Sequence, residues 1–296
     1  MRHLIKHWIR HPLEALAAIL FYSIFAVLPV DVASAIGGFI GRNLGPLVPV
    51  SRRAHRNLEK AMPETTPDQR RAIIRGMWDN LGRVVAEYPH IKAITRNAGR
   101  GGRVEIVGAD NTDAMQPDDQ PGMMFTGHLA NFEICAHTVS AIGFDLAQIY
   151  RTANNKLIDN LLHLARKLPR DRQIPKGADG ARRVIATLKA GGKIGILVDQ
   201  KMNDGIAVPF FGRDAMSAPA VAQLGLRYDC IVVPVQLERT NGCHFRMTFF
   251  PPMELIKTGN RQADILAMMT KVNGFLESWI RQRPEQWLWL HRRWPD

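Results

Sequence analysis

The sequence predicts an α/β fold: a sheet covered by helices on both faces, preceded by an apolar N-terminal segment. Short apolar runs of strand length recur between loops: VEIV, GMMFTG, LAQIY, KIGILV, CIVVPVQ and FRMTFF. Helical patterns separate several of them, at residues 129–142, 154–167, 180–190 and 217–227. Strands alternating with helices favour a sheet buried on both sides. The third observation is the first 48 residues, which read differently from the rest. The chain therefore divides into an N-terminal segment, 1–48, and one large domain, 49–296.

The N-terminal segment opens with Arg2, Lys6 and Arg10, followed by an uncharged run from Ala15 to Val30. As a helix this run spans about 24 Å, short of the roughly 30 Å hydrocarbon core of a bilayer. A second apolar stretch, Val32 to Ile40, follows Pro29 and Asp31, and Arg52, Arg53 and Arg56 come soon after. No convincing Ala-x-Ala cleavage site follows the run, which weighs against a secretory signal. Basic residues flank both ends, so the expectation is a membrane-embedded segment bent near Pro29 with both ends on one face. A buried core helix is the alternative.

In the larger domain, residues 67–95 carry a helical pattern that begins at Pro67 and is interrupted at Pro89. NAGRGG and MQPDDQPG are loops by their Gly, Pro and Asp content. Residues 261–283 form a closing helix ahead of Pro284. With 46% hydrophobic and 22% charged residues the composition is globular, and the net charge of +12 calls for an anionic partner. Cys135, Cys230 and Cys243 are far apart and odd in number, so neither a disulfide framework nor structural zinc is expected. GRGGR lacks the strand and helix that a phosphate-binding glycine loop requires. No basic stripe with interleaved aromatics marks a nucleic-acid surface.

GHLANFEIC, residues 127–135, follows the GMMFTG strand, so His128 falls at a strand-to-helix junction. Ligands of open α/β sheets bind outside the carboxyl ends of strands. His128 and Glu133 are five positions apart, about 140° around a shared helix. They can cooperate only if His128 lies on the turn ahead of that helix. A histidine held by a carboxylate activates a hydroxyl, because the carboxylate fixes the tautomer and stabilises the imidazolium. There is no G-x-S-x-G elbow, and Cys135 has no evident base. Direct transfer with His128 activating an acceptor hydroxyl is therefore favoured over a covalent acyl-enzyme. By itself, the spacing in a chain of ten histidines is as readily accidental.

The downstream segments supply context. QIYRTANNKLIDNLL puts Arg151 at a strand end and Asn154-Asn155 at a helix start. GADGARRVIATLKAGGKIGILVDQK sets Arg182 and Arg183 on a helix, and Asp199-Gln200 just past another strand. AVPFFGRDAMSAPAVAQLGLR gives a loop with Phe210 and Phe211, then Ser217 as a helix N-cap. PEQWLWLHRRWPD closes the chain.

Taken together, HLANFE, YRTANN, VDQ, VPFFG and PEQWLWLHRRW closely resemble the late acyltransferases of lipid A biosynthesis, the lauroyl/myristoyl acyltransferase family of Gram-negative bacteria. The likeness covers about residues 120–296 in the same order, and the apolar N-terminus fits it too. The family often has a glycine-tryptophan character where this chain reads Ala130-Asn131-Phe132. The resemblance implies a glycerolipid-acyltransferase-like mixed sheet covered by helices, at the bacterial inner membrane with the catalytic domain facing the cytoplasm. It implies transfer of a fatty acyl chain from acyl carrier protein to a hydroxyl of a lipid A precursor, without metal or cofactor. His128 is then the general base and Glu133 its orienting partner. Arg151 falls where a contact to phosphate or to the acyl donor is expected, and Arg182, Asp199 and Gln200 are placed near the substrate. A second reading keeps the reaction but takes another glycolipid or a glycerophospholipid as acceptor, or acyl-coenzyme A as donor.

Charge and aromatic content fit these partners. A phosphoglycolipid suits arginine forks, and an acidic carrier protein or an anionic membrane surface suits a basic one. Arg166, Lys167, Arg170, Arg172 and Lys176 form such a cluster, or a solvated face. Phe210 and Phe211 are candidates for an acyl groove or for core packing. Trp287, Trp289 and Trp294 are candidates for the membrane interface or for the core.

Overall fold

The apolar runs do form the strands of a central sheet, and the sheet is mixed. A computed structural model describes residues 10–116, 119–166 and 172–294. Seven strands, in chain order β1 (Val104–Val107), β2 (Gly122–Thr126), β3 (Leu146–Tyr150), β4 (Gln173–Pro175), β5 (Lys193–Leu197), β8 (Ile231–Asn241) and β9 (His244–Phe249), are arranged β1-β9-β8-β2-β5-β3-β4. All neighbours are parallel except the β8–β9 pair. Every residue of β2 is buried, which explains its unbroken apolar run. Central parallel strands are covered on both faces and show no alternation.

The parallel strands are joined by helices α6 (Cys135–Ala141), α7 (Lys156–Arg166), α8 (Ala178–Lys189) and α9 (Ala220–Tyr228). The long α10 (Arg261–Gln282) packs with α3 (Ser51–Ala61), α4 (Pro67–Glu87) and the C-terminal tryptophans in one apolar cluster. The short α5 (Ile91–Thr95) and α6 belong to a second cluster with β8 and β9. The 67–95 segment breaks where Pro89 requires it, passing through a 3-10 turn at Tyr88–His90. Its start is set by a capping box, in which Thr66 and Gln69 exchange hydrogen bonds just before Pro67.

Three expectations are corrected here. The segment read as a loop around Phe210 is a hairpin of β6 (Lys201–Phe210) and β7 (Arg213–Ser217). Its turn places Phe211 and Gly212 at φ 53° and 69°, the geometry that matches the twist of paired strands. Ser217 ends β7 rather than capping α9, whose N-cap is Pro219. The helix expected from residue 129 starts only at Cys135, because residues 132–134 form a 3-10 turn.

The N-terminal segment bends where Pro29 predicts, between α1 (His11–Ala26) and α2 (Val30–Leu44). Among the described residues no helix is long and apolar enough to cross a membrane. α2 lies directly against α4 through glycines. A Cβ on Gly41 would meet the Trp78 carbonyl oxygen at 2.1 Å, and one on Gly82 would meet the Gly37 carbonyl oxygen at 2.1 Å. The close approach brings Ser34 over the last residue of α4, Glu87.

Glu87 is fully buried and accepts hydrogen bonds from Ser34 Oγ at 2.6 Å, Asn131 Nδ2 at 2.8 Å and the Arg239 guanidinium at 2.6 and 3.1 Å. Burial opposes its charge, but the Arg239 pair outweighs that and holds the carboxyl below its ordinary range. Removing one partner of such a pair leaves an uncompensated buried charge. Glu87→Gln should therefore cost about 3–5 kcal/mol, read as a lowered midpoint in denaturant unfolding. A loss under 1 kcal/mol would show that Arg239 finds another anion.

Candidate active site

The site lies at the carboxyl edge of the parallel strands. β2 ends at Thr126 and β5 at Leu197, and these two residues face each other in the register. Two residues further along each strand stand His128 and Asp199. His128 Nδ1 is 2.6 Å from Asp199 Oδ1, and the His128 backbone N–H donates to Oδ2 at 2.7 Å. Trp287 Nε1 donates to the same Oδ2 at 2.8 Å. A carboxylate only accepts, so Nδ1 carries the ring proton and Nε2 keeps its lone pair. Gln200 Nε2 lies 3.2 Å from that lone pair. Burial opposes the Asp199 charge, but the His128 ring and N–H hold its carboxyl far below the usual range. Asp199 therefore stays anionic and locks the imidazole in one tautomer, with its base nitrogen turned away.

The loop that carries His128 is clamped from several sides. Leu129 forms an isolated antiparallel bridge with Trp287, and the Ala130 N–H donates to the Gln286 carbonyl at 3.0 Å. Asn80 Nδ2 donates to the Ala130 carbonyl at 3.0 Å, and Asn131 reaches Glu87. These bonds hold Ala130 at φ 48°, a left-handed conformation that costs a residue with a Cβ about 1–2 kcal/mol.

The expected partner of His128 has a different role. Glu133 sits in the 3-10 turn, and its carboxylate is gripped in two-pronged fashion by Arg166 at 2.9 and 3.1 Å. The five-residue spacing does bring Glu133 into the buried surroundings of the site, but the carboxylate on the imidazole is Asp199. The nearby Tyr88 phenol is pushed well above its ordinary range by burial and by the Glu133 charge. Phe132, beside Glu133, stacks edge-on to the His128 ring at 4.6 Å. It also lines an apolar cavity together with Phe125, Val139, Leu146 and Ile149. Burial, with Glu133 adding to it, pushes the Cys135 thiol up to about 12. At neutral pH it holds almost no thiolate.

Of the other expected residues, Gln200 meets His128 and Arg151 stands exposed just past the end of β3. Arg182 is on the solvent face of α8, paired with Asp179 at 3.0 Å, and makes no contact with His128. The described members of the basic cluster are divided between the interior and the surface. Arg166 is buried on Glu133, Arg172 pairs with Asp145 at 2.6 Å, and Lys176 donates to Gln200 at 3.1 Å. Lys167 and Arg170 lie outside the described residues, as do Arg2 and Lys6. Phe210 and Phe211 are core, as are Trp287, Trp289 and Trp294, with Phe210 stacked on Trp294 at 5.5 Å. His128, Asp199 and His291 bring donor atoms within 4.8 Å of one another, near enough to share a cation. The His128–Asp199 hydrogen bond already joins two of them.

Residues 5–296 match the family model described as bacterial lipid A biosynthesis acyltransferase. The chain is 24% identical over 273 residues to the lipid A biosynthesis palmitoleoyltransferase of Escherichia coli strain K12, covering 90% of this chain and 86% of that protein. It is 26% identical over 274 residues to the lipid A biosynthesis lauroyltransferase of the same organism, covering 86% and 83%. A lipid A biosynthesis acyltransferase of Haemophilus influenzae is 21% identical over 277 residues, covering 92% and 84%.

Two stability measurements test this geometry. Ala130→Gly removes about 1–2 kcal/mol of left-handed strain against about 0.4–1 kcal/mol of added unfolded-state entropy, so it should raise the unfolding free energy by about 0.5–1 kcal/mol. An unchanged or lowered value would show that the loop does not hold φ positive. His291 is pushed down from 6.5 to about 4, first by burial, with Arg293 and Lys176 adding to it against the pull of Asp199. Above pH 6.5 the group is neutral in both states. Between 6.5 and 4 only the unfolded chain gains its proton, so stability falls as pH falls. Urea midpoints from pH 7.5 to 4.5 should drop less in His291→Gln than in the wild type, and parallel curves would rule this out.

Proposed function

The chain belongs to the bacterial lipid A biosynthesis acyltransferase family, and from that membership we propose that it transfers a fatty acyl chain from acyl carrier protein to a hydroxyl of a lipid A precursor. The observation that carries this reading is the 2.6 Å bond from His128 Nδ1 to the buried Asp199, which leaves Nε2 as a base. The acceptor hydroxyl gives its proton to Nε2 while its oxygen attacks the thioester carbonyl. Asp199 stabilises the imidazolium so formed. Collapse of the tetrahedral intermediate breaks the carbon–sulfur bond, and the thiolate takes the proton from Nε2. No acyl-enzyme is needed, and the raised Cys135 thiol fits that economy. Glu133, gripped by Arg166, seats the turn that sets Phe132 against the imidazole. Phe132 also joins Phe125 and Leu146 around a small apolar cavity.

The acceptor and the membrane surface are both anionic, in keeping with the +12 charge. Arg151, exposed at the strand ends, is suited to a phosphate of the acceptor or of the donor. The outer faces of α1 and α2 support seating at the inner membrane with the catalytic domain in the cytoplasm. Leu16, Leu20 and Phe39 are about 60% exposed and Val27 is 83% exposed. Over the described residues the two helices are about 24 and 22 Å long, under the roughly 30 Å core of a bilayer, which supports a hairpin seated in the interface.

The test supplies detergent-solubilised protein with labelled acyl carrier protein and a tetraacylated lipid A precursor. His128→Ala should abolish transfer, and Asp199→Asn should lower turnover about 10²–10⁴-fold while the protein stays folded. Transfer to glycerol phosphate instead would establish the glycerophospholipid reading. An Asp199→Asn enzyme near the wild-type rate would reject Asp199 as the orienting group.

A further inference from the structure

Gln200 has a contact that plays no part in holding the histidine. Its Nε2 lies 3.2 Å from His128 Nε2, and its Oε1 lies 3.1 Å from Lys176 Nζ. Chemistry alone orders the protons along this chain. A lysine ammonium only donates, so Gln200 turns its carbonyl to Lys176. Nδ1 holds the ring proton for Asp199, so Nε2 only accepts and receives a Gln200 N–H. The two ends independently require the same amide orientation.

This resting arrangement cannot act as a base, because the lone pair that must take the proton is already capped by an amide N–H. An acceptor hydroxyl arriving at Nε2 displaces that N–H. The amide, still tethered through its carbonyl to Lys176, then holds an unpartnered donor beside the carbon under attack. Gln200 follows Asp199 beyond β5, and Lys176 follows Pro175 at the end of β4, so both reach in from the same carboxyl edge.

We infer that Gln200 donates a hydrogen bond to the oxyanion of the tetrahedral intermediate, and that Lys176 is the positioning residue that keeps its amide facing that way. The inference rests on the acyl-transfer reading above. When the acceptor oxygen bonds to the thioester carbon, the carbonyl electron pair moves onto oxygen, and the freed Gln200 N–H meets it. When the intermediate collapses, the pair returns, the carbon–sulfur bond breaks and the thiolate takes the His128 proton. Gln200 is then free to cap Nε2 again. A donor aimed at developing charge acts in the transition state and leaves ground-state binding unchanged.

The experiment measures kcat and KM for acyl transfer in the full-length protein, with thermal unfolding of each variant as the fold control. Gln200→Ala should lower kcat about 10²–10³-fold with KM little changed. Lys176→Met should lower kcat about 10–100-fold, again without a KM change, and Lys176→Arg should restore most of it. A Gln200→Ala enzyme near the wild-type kcat, or one altered only in KM, overturns the inference. His128→Ala separates the two levels. If it is inactive while Gln200→Ala is unimpaired, the base survives and the oxyanion donor falls. If the wild type itself transfers no acyl group, both fall.

Discussion

The buried carboxylate of Glu87 is the constraint on which the arrangement of this molecule depends. It touches the N-terminal hairpin through Ser34, the His128 loop through Asn131 and the central sheet through Arg239. A charge taken out of water demands donors on all sides. Each element that approaches α4 therefore has to arrive in the orientation that supplies one. Apolar packing would tolerate a helix turned by some tens of degrees; this carboxylate does not. Arg239 is fixed in turn by Asn80 at 3.0 Å and by the Phe245 ring 4.6 Å from its guanidinium carbon, so the constraint passes on into the sheet.

Asp199 repeats the same physics at the site. Its donors come from the loop after β2 and from the C-terminal segment, so a single anion joins parts of the chain far apart in sequence. Both carboxylates hold the short stretch 128–131, one from each side. That double grip sustains the left-handed Ala130 and leaves the imidazole no freedom to turn. Strain at a functional loop persists when its surroundings over-determine it, and here two buried anions do so.

Much of the fold was legible in local patterns. GMMFTG and KIGILV are strands because continuous apolar runs of that length suit buried parallel positions, while VEIV and LAQIY make strands that are only partly buried. The break at Pro89 and the bend near Pro29 follow from proline's missing donor and fixed φ. The β6–β7 hairpin was not legible, since its turn is Phe211-Gly212 and only the glycine advertises a left-handed residue. Nor was the late start of α6, because the pull of Arg166 on Glu133 comes from a helix 33 residues away. The three tryptophans could equally have suited a membrane interface. Their burial was decided by the hairpin that packs on them.

By itself the sequence determined the strand-to-helix junction that carries His128, the bent apolar hairpin and the likeness to a family of lipid A acyltransferases. It also contained an unread signal. TGH and LVD end two runs of equal length, and in a register that pairs Thr126 with Leu197 they bring His128 to Asp199. Only the tertiary structure could decide that register, because strand order is set by crossovers and packing and not by spacing along the chain. The same holds for the two carboxylates. Glu133 is five residues from His128 and Asp199 is seventy-one residues away in sequence. The distant one holds the imidazole because β2 and β5 are neighbours, and the near one is held instead by a guanidinium that the folded chain brings to it.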